Sequence, residues 1–175
     1  MKYSFMIFIL LLACSSVNRI EKKTYYPDNK LNEEYFEIDG KKDGEYKNYY
    51  ENGKLAAEGR FSNDIQVGTW KNYYNDGLIM SIIDYKAGFI SNLNAWDRFG
   101  NHVVVNGNGI FTFFDEYGIK KSKLCFKNNR LSDTCCIWFQ NGNLKEETIF
   151  KDGKPFIKKK WDEQGNFLEE KYYNK

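Results

Sequence analysis

The sequence predicts an all-β chain of tandem β-hairpins, and three observations carry that prediction. An aromatic residue is followed four positions later by glycine, again and again, at steps close to 24 residues. Short stretches rich in Tyr, Phe and Trp alternate with Gly, Asn and Asp clusters, the pattern of strands bounded by turns. No segment between these units is long enough for a stable helix.

The units align on their leading aromatics. Tyr49 leads to Gly53, Tyr73 to Gly77, Trp96 to Gly100, Phe114 to Gly118, Trp138 to Gly142 and Trp161 to Gly165. Tyr25, with Asn29 in the glycine position, adds a seventh unit. The steps between leading aromatics are 24, 24, 23, 18, 24 and 23 residues. The residue after each is Tyr26, Tyr50, Tyr74, Asp97, Asp115, Phe139 or Asp162. Three before stand Tyr46, Trp70, Leu93, Phe111 and Cys135, and twelve after stand Phe61, Tyr85, Phe126, Phe150 and Tyr173.

Each unit reads as one hairpin. Asn52-Gly53, Asp76-Gly77 and Asn141-Gly142 are turn dipeptides, because Gly and Asn accept positive φ at low cost. A second connection near Asn63-Asp64 leads to the next unit. A lone hairpin is marginal in water, so neighbours must pack or pair in series. The 18-residue step from Trp96 to Phe114 reads as a unit that lacks one loop, with Asn106-Gly107-Asn108-Gly109 as a tighter turn.

The copy Gly68-Thr69-Trp70-Lys71-Asn72-Tyr73-Tyr74-Asn75-Asp76-Gly77 resembles the MORN repeat in its bacterial variant, found in proteins often labelled YwqK-family antitoxins. The resemblance spans residues 25–175; it is clearest at Gly44–Phe61 and Gly68–Tyr85, and next at Gly109–Phe126. It implies an elongated, twisted antiparallel sheet of hairpins that acts as an interaction scaffold.

The N-terminus carries a separate signal. Lys2 precedes an unbroken apolar run, Phe5 to Leu12. That run is too short to span a bilayer core of roughly 30 Å and reads as a signal-peptide core. It ends in Leu11-Leu12-Ala13-Cys14, which resembles a bacterial lipobox. The expected organisation is a signal peptide over 1–13, a lipidated Cys14 with a polar tether to residue 24, and the repeat array over 25–175. Acyl chains on Cys14 would hold the protein in the cell envelope. Ser15, where an aspartate would imply inner-membrane retention, favours the outer membrane in a two-membrane cell.

Composition narrows the function classes. The net charge is +2, with 26 basic and 24 acidic residues, and clustered positive charge for a nucleic-acid surface is missing. The sole histidine, His102, stands where other units have Leu55, Ile79 and Leu144, and reads as structural. Cys125, Cys135 and Cys136 lack metal-ligand spacing, and no nucleophile elbow or phosphate-binding loop occurs. No catalytic residues, metal or cofactor are therefore expected. Glu33-Glu34, Glu146-Glu147 and Glu169-Glu170 recur at equivalent positions, and neighbours on a strand point to opposite faces, so they read as surface. Lys158-Lys159-Lys160 reads as a solvated strand, with contact to acidic headgroups as the alternative. Cys125 has two readings: a disulfide with Cys135 (or Cys136) across a hairpin, or unbridged thiols with Cys135 as a small hydrophobe in the aromatic's place.

The leading aromatics, uniform in every unit, read as the packed row. The residues after them vary, so Tyr50, Tyr74, Phe139, Asp97, Asp115 and Asp162 read as the binding face. The expected function is a membrane-anchored, non-catalytic scaffold for an unidentified protein partner. The alternatives are an antitoxin or immunity-like protein and an envelope glycan-binding protein.

Overall fold

The computed structural model describes residues 18–115 and 117–173. Cys14 and the expected signal peptide lie outside them. The described residues form one open antiparallel sheet of fifteen strands. In chain order these are β1 (Arg19–Tyr25), β2 (Leu31–Ile38), β3 (Lys41–Tyr49), β4 (Leu55–Ser62), β5 (Ile65–Tyr73), β6 (Ile79–Lys86), β7 (Phe89–Trp96), β8 (His102–Val105), β9 (Asn108–Phe114), β10 (Lys120–Lys127), β11 (Arg130–Leu131), β12 (Asp133–Trp138), β13 (Leu144–Lys151), β14 (Lys154–Trp161) and β15 (Phe167–Tyr172). Each pairs with its sequence neighbour, except that β10 pairs with both β11 and β12. The all-β array of consecutive hairpins expected from the repeat is the architecture found.

Two kinds of turn alternate along the sheet. At one end the leading aromatic closes its strand, and a three-residue loop follows. The Tyr50 N–H donates to Lys54 O, and the Gly53 N–H donates to Tyr50 O, both at 2.8 Å. Gly53 sits at φ 79°, the left-handed residue that such a loop requires. At the other end lie two-residue turns with both residues at positive φ, such as Asn63 (49°) and Asp64 (66°), or Asp152 (52°) and Gly153 (78°). This conformation matches the right-handed twist of the flanking strands. The short unit keeps the same turn, Asn106 (48°) and Gly107 (73°). Its missing residues come from the strands: β8 has 4 residues where β4 has 8, and β9 has 7 where β5 has 9. The expectation of a lost loop is corrected accordingly.

The short hairpin leaves a notch that its neighbours close. The Gly107 N–H donates to Leu93 O at 2.7 Å, and the Asn129 N–H donates to Gly107 O at 3.0 Å. The tightest core lies beside this notch, where Leu93, Ala95 and Val104 are buried and Ile83, Ile90, Phe111 and Phe126 pack on them.

The chain's polar beginning is also corrected. Arg19–Tyr25, assigned to the tether and to the start of the array at residue 25, is a fully exposed edge strand paired with β2. Its alternation of Arg, Glu and Lys suits an edge that must not aggregate.

A single layer cannot bury two faces, and the register divides them. One face carries Tyr35, Tyr46, Phe61, Trp70 and Tyr85, whose rings lie 4.9 to 6.5 Å apart in a continuous ladder. Trp70 is 4% exposed, and its indole N–H donates to Arg60 O at 3.2 Å. Gly59 is required beneath it, because a Cβ there would enter the Trp70 ring. The other face carries a Glu–Lys ladder, while Glu33, the neighbour of Glu34, lies on the ring face and accepts from the Tyr46 hydroxyl. Lys23, Glu34, Lys47, Glu58 and Lys71 lie opposite one another on successive strands, as do Glu147, Lys159 and Glu170. The paired glutamates are thus cross-strand ion-pair partners. Lys158 and Lys160 are likewise engaged, by Glu146 at 2.8 Å and Glu169 at 2.6 Å.

Candidate functional site

The row chosen as the binding face turns out to hold the repeats together. Each of its residues opens a three-residue turn. Where that residue is tyrosine, its hydroxyl donates to the carbonyl of the next unit's leading aromatic. Tyr26 reaches Tyr49 O at 2.7 Å, Tyr50 reaches Tyr73 O at 2.7 Å, and Tyr74 reaches Trp96 O at 2.9 Å. Tyr74 is only 4% exposed, and burial pushes its hydroxyl pKa up, as it does for Tyr50. Where the residue is aspartate, it stabilises its own turn instead. Asp97 Oδ1 accepts the N–H groups of Phe99 and Asn101 at 2.9 Å, and Asp162 Oδ1 accepts those of Gln164 and Asn166 at 3.0 and 2.8 Å. Hydrogen bonds from the Asn101 and Asn166 side chains hold these two carboxyls below their ordinary pKa. Asp115 accepts from Tyr117 and Ile119 and pairs with Lys121 at 3.3 Å.

The leading row is not the core. Tyr49, Tyr73, Trp96, Trp138 and Trp161 are half-buried and Phe114 is exposed. They pack on the residue six positions on, on the charged face. Tyr49 and Tyr73 donate to Glu34 at 2.6 Å and Glu58 at 2.8 Å. Trp96 stacks on His102 with centroids 4.5 Å apart, and the two are paired across β7 and β8. The packed rings thus belong to neither row: the leading aromatics lie on the charged face, and the residues after them open the turns. A row can be uniform because a turn needs it, and the packed face is set by register.

The cysteines follow the register too. Ser122 pairs with Ile137 and Lys123 with Cys136, a spacing one residue away from setting Cys125 against Cys135. Cys125, Cys135 and Cys136 are free thiols. Cys125 donates weakly to Thr134 O at 3.4 Å, and burial pushes all three thiol pKa values up. The bridge from Cys125 to Cys135 is not formed. Cys135, 7% exposed, occupies the aromatic's place as the second reading held.

The six candidate residues do not converge. Tyr74, Asp97 and Asp115 line a groove of ≈ 370 Å³ at the glycine-turn end, completed by Arg98, Phe99, Thr112, Phe114 and Gly118. Phe139 and Asp162 line a shallower one with Lys145, Trp161 and Leu168. Tyr50 lines neither. The groove is mainly apolar at its rim. Phe99 is 91% exposed and Tyr117 is 77% exposed nearby. Arg98 lies 5.3 Å from the Tyr74 ring centre. Its Nε is buried and has no hydrogen-bond partner among the described residues. Asp97 is occupied by its own turn, and Asp115 by its turn, Lys121 and Gln140. Sequence reasoning passed over Arg98 and Phe99 because they occupy turn positions, two and three after the leading aromatic. The available signal was Arg98, a cation where other units carry Glu51, Asn75, Gln140 and Glu163, with Phe99 matched by aromatic Tyr117 one unit on. Among the described residues, no three His, Cys, Asp or Glu side chains gather as metal ligands.

The family model described as the MORN repeat variant matches residues 42–63, 66–87 and 134–152. Three segments of this sheet are MORN-variant repeats. The first two were the clearest in sequence. The third is the Trp138 unit, not the Gly109–Phe126 copy ranked next. That copy stands against the short β8, which has 4 residues where β4 has 8. A search of curated proteins gives no match. The MORN-variant repeats supply a scaffold, and the groove lies beyond the second of them, where the pattern loosens.

Proposed function

We propose that this protein is a lipid-anchored, non-catalytic MORN-variant scaffold that holds a protein partner in the Arg98–Phe114 groove. The observation that carries the reading is an arginine whose buried Nε has no hydrogen-bond partner among the described residues, beside exposed Phe99 and Phe114. Such a site fits a segment that presents an apolar side chain next to a carboxylate. The apolar part covers Phe99 and Phe114, and the carboxylate accepts from the guanidinium. Large exposed aromatics in one groove are also what interaction surfaces present.

Anchoring through Cys14 rests on the lipobox-like Leu11-Leu12-Ala13-Cys14 after a short apolar run. It would place the groove on a membrane surface in the cell envelope. A toxin that the protein neutralises is one partner of the required kind.

Photo-crosslinking from position 99 in intact cells tests the groove. A protein adduct lost on Arg98→Ala, with folding unchanged, supports the reading. An adduct with glycan only, or one indifferent to Arg98, refutes it. Cys14→Ser should abolish acylation and release the protein from membranes; retention of the mutant on membranes would refute the anchor.

A further inference from the structure

We propose that copies of this chain join head to tail, with β15 of one copy pairing to β1 of the next and continuing the sheet. Among the described residues the sheet path ends at β1 and β15, and every residue of both strands is exposed. Such edges present unpaired N–H and C=O groups.

The register of the array specifies how these edges fit. At five of the six junctions between units, the residue nine after one leading aromatic faces the residue two before the next; the short unit is the exception, with Val105 facing Asn108. Glu34 faces Lys47, Glu58 faces Lys71, Ile82 faces Asn94, Lys123 faces Cys136 and Glu147 faces Lys159. All three Glu–Lys junctions close at 3.6 Å. Nine after Trp161 is Glu170, and two before Tyr25 is Lys23. A β15–β1 junction in the array's own register therefore sets Glu170 against Lys23, with glutamate and lysine in the same places.

Those two residues are the open ends of the ladders. Glu170 has Lys159 on one side at 3.9 Å, and Lys23 has Glu34 on one side at 4.0 Å and Glu21 of its own strand at 3.0 Å, with no cross-strand partner on the other side among the described residues. Joining them makes one alternating row, Glu147, Lys159, Glu170, Lys23, Glu34, Lys47, Glu58 and Lys71. The exposed Leu168 and Tyr172 of one edge and Ile20 and Tyr25 of the other would be partly covered. The same register sets Lys171 against Lys22, a like-charge pair of the kind that Lys158 and Lys171 already form across β14 and β15. A heterologous contact of this type extends into open series rather than closed pairs.

The full chain in detergent, followed by sedimentation over a concentration series, should show dimer and higher species. Glu170→Lys should weaken association by roughly tenfold, and adding Lys23→Glu should restore it. Lys171→Glu, which removes the like-charge pair, should tighten it. For register, chains carrying Lys23→Cys are mixed with chains carrying Glu170→Cys under oxidation, with the parent chain as baseline. Residues directly opposed across strands are within disulfide reach, so the mixed disulfide should dominate. Monomer at every concentration with no mixed disulfide overturns the proposal. So does a Glu170→Cys disulfide with its own kind, which means symmetric edge pairing. Association indifferent to the three charge changes also overturns it, since that is apolar contact without register.

Discussion

Truncating the hydroxyl of Tyr74 should loosen the array at one junction. Tyr74 is 4% exposed and donates to Trp96 O at 2.9 Å. Tyr74→Phe keeps the ring and removes only that bond, leaving the carbonyl one donor short. A lost hydrogen bond costs about 0.5–1.5 kcal/mol net, and up to about 3 kcal/mol where the partner stays desolvated. For a chain of this size each kcal/mol moves Tm by about 2–4 °C, so Tm should fall by roughly 2–10 °C. Tyr74→Ser also removes a buried ring and should cost about 3–5 kcal/mol. Phe139 occupies the equivalent turn position without a hydroxyl and is half-buried, so Phe139→Ser should cost clearly less. Urea unfolding read by circular dichroism and tryptophan fluorescence measures all three. Tyr74→Phe melting like the parent, or Phe139→Ser proving worse than Tyr74→Ser, would refute the idea that these hydroxyls join the repeats.

Trp70→Ala should cost about 3–5 kcal/mol as a buried large aromatic, and Gly59→Ala should also destabilise because its Cβ enters the Trp70 ring; unchanged melting of either would show a looser core. Burial, reinforced by the bonds donated to Glu34 and Glu58, pushes the Tyr49 and Tyr73 hydroxyls up to about 12. An unfolded tyrosine titrates near roughly 10, so their contribution is whole below that pH and is lost as pH rises towards about 12. Alkaline melts should therefore fall off in that window, and less steeply in a Tyr49→Phe, Tyr73→Phe double variant. Free-thiol titration should find Cys125, Cys135 and Cys136 all reactive after denaturation and slow to react before it, with a bridged pair contradicting the register.

The sequence by itself determined the hairpin, its period and its turns. Asn52-Gly53 and Asp76-Gly77 require positive φ, and that demand is local, so it reads directly from residue type. His102 reads as structural from its place in the repeat, but its partner Trp96 comes from the pairing of β7 with β8. Only the tertiary structure decided which face packs. Tyr49 and Tyr50 are neighbours on opposite sides, and nothing in the alternation says which side meets the rings of the next strand. Cys125 misses Cys135 because β10 pairs with β12 in a register that sets Ser122 against Ile137, and the Glu–Lys ladder lies in line because Glu34, Lys47, Glu58 and Lys71 face one another across successive strands. The edge strand at Arg19–Tyr25 was hidden for a related reason. A strand with no second neighbour buries little, so its residues carry the polar composition of a tether while its backbone pairs with β2. The Arg98 groove is lined by residues of successive units, Tyr74, Arg98, Phe99 and Phe114, which only the pairing of strands across the sheet brings together.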